Sequence, residues 1–63
     1  MAKLNRVDGL VVSTLKSSAE GLTLAEIAEK IGEPEKKVFR SLRKLFENDM
    51  VDCQDRKYVL SHS

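Results

Sequence analysis

LTLAEIAEKIGEPEKKVFRSLRKLFENDMV, from Leu22 to Val51, decides the fold, because two helices and the break between them can be read from its spacing. Thr23-Leu24-Ala25-Glu26 is a capping box. The threonine hydroxyl accepts from the backbone N–H three residues on, and the glutamate reaches back to the N–H of the cap. A helix is therefore predicted to begin at Leu24, to carry Ile27, Ala28 and Ile31 on one face, and to stop at Gly32, a residue free to take positive φ. Pro34 is expected as the first residue of the next helix, where its missing N–H leaves nothing unpaired. That helix is predicted over residues 34–47. Val38, Phe39, Leu42, Leu45 and Phe46 recur at spacings of three and four as its buried stripe. Lys36, Lys37, Arg40, Ser41, Arg43 and Lys44 lie off that stripe, so the exposed side is expected to be almost purely cationic.

Downstream, Asn48-Asp49 ends the helical pattern. Two β-prone runs follow, at about 50–53 and 57–60, around Gln54-Asp55-Arg56, and predict a small hairpin. Ser61-His62-Ser63 has nothing to pack against and is expected to be disordered. Upstream, Leu4, Val7, Leu10, Val11 and Leu15 keep helical spacing and predict a first helix over about 3–17. Gly9 and β-branched Val11, Val12 and Thr14 lower its propensity, so packing must hold it. Residues 17–21 break the pattern as a loop. The second and third predicted helices have the lengths of a helix-turn-helix. With a hairpin after them, the expected fold class is mainly α with a small β-hairpin. This is a winged helix-turn-helix of three helices and a two- or three-stranded antiparallel sheet, Gly21-Leu22-Thr23 supplying the third strand as such domains do.

The whole chain bounds this reading. Its 63 residues, 41% apolar and 33% charged, make one domain over 1–63. A chain of that length buries only about 60% of its unfolded surface, which leaves little volume for an enclosed substrate site. No Ser/His/Asp or Cys/His set, phosphate loop or paired-carboxylate pocket is present, so no enzyme is expected. Cys53 has no second cysteine to pair with, and with the lone His62 it cannot complete a four-ligand metal site. No metal or other cofactor and no small-molecule substrate is expected. No apolar run approaches the roughly 18 to 20 residues that cross a bilayer, and the charged start at Met1 to Arg6 lacks the apolar core of a secretory signal. No membrane partner is expected, and a cytoplasmic location is.

Net charge is only +1, but it is segregated. From Lys36 to Lys44 stand five cations and no acid, whereas from Glu20 to Glu35 stand five acids and one lysine. The stretch from Leu22 to Leu60 resembles the winged helix-turn-helix of MarR-like and TrmB-like regulators. Those have a threonine cap, an alanine-rich helix, a turn, and a basic helix closed by leucines before the wing. Where they usually carry glycine ahead of the wing strand, this chain has Asp49-Met50. A second, weaker resemblance is to the Z-alpha domains, through Ile31-Gly32-Glu33-Pro34, the basic helix and Tyr58. The contact pattern of that family would fall on Glu35 or Lys36, Phe39 and Arg43, and only the lysine matches.

These observations lead to an expected function: a double-stranded DNA-binding module and small transcriptional regulator, its third helix in the major groove. Arg40 and Arg43, three apart, suit the O6 and N7 acceptors of guanine. Lys36, Lys37 and Lys44 suit backbone phosphates, and Ser41 suits either. Five phosphate contacts would give a salt slope of roughly −4 to −5. Arg56 and Lys57 at the wing tip are candidates for a phosphate or a minor-groove edge, and Lys3 and Arg6 for added backbone contacts. A solvated cationic face that pairs with neighbouring acids explains the same residues without nucleic acid. The alternative function is a protein-interaction winged helix, whose acids Glu26, Glu29, Glu33 and Glu35 would dock a basic partner. The expected partners are thus duplex DNA and, through Val12 on the first helix or the acidic face, a second copy or another protein. A pI of about 7.9 lies below the value above 9 typical of dedicated DNA-binding domains. Cys53 reads as a small half-buried hydrophobe, and Phe39 and Phe46 as core.

Overall fold

Three α-helices and one antiparallel hairpin make up the computed structural model, which describes residues 4–61: α1 (Arg6–Lys16), α2 (Leu24–Ile31), α3 (Glu35–Glu47), β1 (Val51–Gln54) and β2 (Lys57–Leu60). Lys3 and His62, and with them the expected start of the first helix and the end of the tail, lie outside the described residues. Among the described residues no helix is long and apolar enough to cross a membrane.

The second helix keeps its expected bounds because both of its ends are chemically fixed. The Thr23 hydroxyl accepts from the Glu26 N–H at 3.2 Å, and the Glu26 carboxylate accepts from the Thr23 N–H at 2.9 Å. Gly32 closes it at φ 69° and ψ 34°, in the left-handed region. Glu26 is held below its usual pKa of 4.5, first by that bond from the Thr23 N–H, then by the Thr23 side chain, with the charges of Lys57 and Lys30 adding to them.

The other helix boundaries differ from expectation at their starts. Pro34 is the N-cap of α3, in extended backbone at φ −62° and ψ 146°, and not its first helical residue. Its carbonyl accepts from the Lys37 and Val38 N–H groups. Asn5 caps α1 with a second capping box: its side chain accepts from the Asp8 N–H at 2.9 Å, and Asp8 accepts from the Asn5 N–H at 3.0 Å. This cap shortens α1 at both the sequence and the packing level. Leu4, expected in its apolar face, lies ahead of the cap and is exposed.

The strands pair Val51 with Leu60, Asp52 with Val59, Cys53 with Tyr58 and Gln54 with Lys57. The turn is therefore two residues, Asp55 and Arg56, both with positive φ. Leu22 adds a single bridge to Tyr58, its N–H donating to the Tyr58 carbonyl at 3.0 Å and its carbonyl accepting in return at 2.7 Å. The expected third strand is thus one bridge long. Gly21 permits it: a Cβ there would stand 2.7 Å from a Val59 methyl and 3.1 Å from the Tyr58 carbonyl.

Val11, Leu15, Leu22, Ile27, Ala28, Val38, Leu42, Leu45 and Val51 form one core at the junction of the three helices and the first residue of β1. Phe39 and Phe46 are not in it. They are 48% and 52% exposed, and their expected place in the buried stripe is overturned. The reason is angular. At about 100° per residue, Val38 and Leu45 mark the centre of the buried arc and Leu42 its edge, so that Phe39 and Phe46 stand roughly 60° and 40° beyond Leu42.

Candidate nucleic-acid interface

The surface of α3 divides into three strips by the same geometry. Lys36, Arg40 and Arg43 lie on the outermost strip together with Glu47, all exposed. Lys37 and Lys44 lie on the strip towards α1, beside the buried Ser41. Phe39 and Phe46 lie on the strip towards the hairpin.

The strip towards α1 is locked by a buried carboxylate. Asp8 is fully buried, one turn before Val11 on the inner line of α1. Its Oδ1 accepts the Ser41 hydroxyl proton, and its Oδ2 accepts from the Lys44 ammonium at 2.8 Å and from the Asn5 N–H. Burial pushes the Asp8 carboxyl up. The bonds from Lys44, Ser41 and Asn5, with the Lys44 charge, outweigh burial and hold it below its usual 3.8. Both oxygens are satisfied, which is the condition for keeping a charge inside a small domain.

This lock changes the candidate set. Ser41, expected to touch bases or phosphates, is 4% exposed and spends its hydroxyl on Asp8, so it presents nothing to a groove. Lys44 keeps 35% of its side chain exposed but directs its ammonium to Asp8. With Asn5, Val7, Lys37 and Arg40 these groups line a cleft of about 340 Å³ between α1 and α3. Lys37 is exposed and approaches Glu33 at 3.8 Å, one turn earlier, in a pair open to solvent. Such a pair is worth well under about 1 kcal/mol and leaves the ammonium available.

The strip towards the hairpin is apolar. Phe39, Leu42, Arg43, Phe46, Cys53 and Tyr58 line an open groove of about 300 Å³. Cys53 is exposed there, correcting its expected half-burial. It faces Tyr58 across the strands because β1 pairs with β2 in the register that sets those two residues opposite. Burial, with Cys53 adding to it, pushes the Tyr58 hydroxyl above its usual 10.0.

At the hairpin tip Arg56 and Lys57 are exposed, but Lys57 lies with Glu26 in a cleft formed with residues 17–22, away from the α3 ridge. Arg6 is exposed at the start of α1. Of the acids expected to dock a basic partner, Glu26 caps α2, while Glu33 meets Lys37 only in the solvent-open pair already described. No family model, no curated protein and no solved structure matches this chain.

Proposed function

We propose that this domain is a winged helix-turn-helix that binds double-stranded DNA through α3 in the major groove and serves as a small transcriptional regulator. The observation that carries this reading is the exposed ridge Lys36, Arg40 and Arg43, flanked by exposed Lys37, with no acid among residues 36–44. Arg40 and Arg43 lie about 4.5 Å apart along the helix axis. Both are placed to reach a base edge, where the guanidinium fork matches guanine O6 and N7. Lys36 and Lys37, in the first turns of α3, are phosphate contacts that fix register without reading sequence. Arg56 adds an exposed cation at the hairpin tip, whereas Lys57 lies in the cleft with Glu26.

Four available cations on α3 imply a salt slope of roughly −3 to −4, shallower than five would give, because Lys44 is held by Asp8. An NMR titration of the labelled domain with a short random duplex, at low and moderate salt, tests the proposal. Shifts are expected along residues 36–43, fading steeply with salt. The double substitution Arg40→Ala with Arg43→Ala is expected to remove binding while leaving the spectrum of the core unchanged. Absence of any shift at low salt sinks the proposal.

A further inference from the structure

We infer that the groove between α3 and the hairpin is a stacking site for unpaired nucleotides, with bases of a single strand lying on Phe39 and Phe46 and a phosphate held by Arg43. The inference rests on the nucleic-acid reading above for its charge, and adds a strand state that the major-groove reading does not require.

Four observations support it. Two large rings stand half exposed on α3, outside the core cluster that Leu42 and Leu45 help to form. Seven residues separate the two, about 10 Å along the helix axis. The two rings are thus separate stacking surfaces for different bases of one strand. Arg43 lies between the rings in sequence and lines the same groove, which has no acidic side chain in its wall. The groove is open, so it presents surfaces for flat groups and does not enclose a ligand.

The occupant must therefore be planar or apolar and also negatively charged. A single strand supplies both along its length, and aromatic rings beside a cationic track are the means by which proteins hold it without reading sequence. A symmetric second copy fits poorly. Antiparallel packing of two α3 faces about their midpoint would bring Arg43 towards its own counterpart in the other chain, with no acid in the groove wall to offset it.

The test uses the full chain with three probes: a short oligothymidylate, a random duplex, and an acidic amphipathic peptide. Binding of the oligothymidylate is expected, with shifts at residues 39–46, 53 and 58 and intermolecular contacts from the Phe39 and Phe46 ring protons to base protons. Phe39→Ala and Phe46→Ala are each expected to weaken it roughly tenfold or more. Phe39→Trp should retain it, and Phe39→Leu should lose it. Both phenylalanines lie outside the buried core cluster, and the amide spectrum of each variant checks that it folds. Duplex binding without single-strand binding overturns this inference and spares the proposed function; binding of neither overturns both. Full binding by Phe39→Leu, capture of the acidic peptide alone, or concentration-dependent shifts at Phe39 and Phe46 without ligand would each replace stacking with a different use of the groove.

Discussion

The two flanks of α3 differ in a way that runs against residue type. Towards α1, a serine hydroxyl and a lysine ammonium turn inward onto an aspartate that is itself fully buried; towards the hairpin, two phenylalanines stand half in solvent. Position around the helix axis decides this. Ser41 lies roughly 100° from Leu42 on the side that meets α1, within the arc that packing closes, and Phe39 and Phe46 lie outside that arc on the other side. The polar side is tolerated inside because three donors converge on one carboxylate. The apolar side is left outside because the short hairpin covers only part of the helix. An exposed large ring and a buried charge are the departures from ordinary burial that carry information, and here they occupy opposite flanks of one helix.

The largest expected effect comes from breaking the polar flank. Asp8→Ala removes the acceptor of Ser41 and Lys44 and the capping partner of Asn5 at once. Stability should fall by about 3 kcal/mol, within the range for removing one partner of a buried pair. In a domain of this size that is roughly 12–24 °C in melting temperature, measured by circular dichroism. Acid should reproduce part of the loss. Because the folded carboxyl titrates below its usual 3.8, the unfolded chain binds the proton more readily. The contribution of Asp8 is therefore complete above that value and declines as pH falls through the folded pKa. Asp8→Asn should remove this limb of the pH profile. A melting temperature for Asp8→Ala within a few degrees of the parent would show that the lock does not hold α1 to α3.

The apolar flank gives the sharper contrast. Leu42→Ala should cost about 3 kcal/mol, as for other fully buried leucines. Phe39→Ala deletes a larger side chain one turn away, yet it should cost about 1 kcal/mol or less by urea denaturation, because much of the ring already meets water. Equal losses at the two positions would place Phe39 in the core and remove the reason to ask what else it touches.

Local chemistry made much of this legible in the sequence. The Thr23–Glu26 box and Gly32 fix α2 without reference to the rest of the chain, and the Met50 to Leu60 region reads as a hairpin from its β-prone runs. Asn5-x-x-Asp8 is the same kind of signal at α1, less obvious because both residues are short. What spacing did not reveal is how wide a buried arc is. Phe39 and Phe46 fit a three-four repeat as well as Leu42 does, and only the reach of the hairpin shows that they lie beyond cover. Nor does spacing announce a buried acid. Asp8, Val11 and Leu15 share one face, but an aspartate earns its place there through partners 33 and 36 residues away. For the candidate interface, the ridge Lys36, Arg40 and Arg43 was legible from charge alone, whereas the withdrawal of Ser41 and the diversion of Lys44 depend on that distant contact.

The smallest expected effect lies at the hairpin tip and asks whether a side chain is kept there against the preference of the backbone. Asp55 and Arg56 have φ of 50° and 65°, the pattern of a tight turn that favours glycine at its second position. An arginine in the left-handed region costs about 1 kcal/mol. Asp49, at φ 59°, stands ahead of β1, and aspartate tolerates that geometry better than arginine does. Arg56→Gly should therefore stabilise the domain by about 0.5–1 kcal/mol, with Asp49→Gly closer to neutral. If Arg56 meets a phosphate, the same Arg56→Gly variant should bind duplex DNA more weakly, with a salt slope shallower by about 0.9. A domain made more stable and less able to bind would mark Arg56 as a residue held for its charge. Unchanged binding would confine the proposed interface to α3.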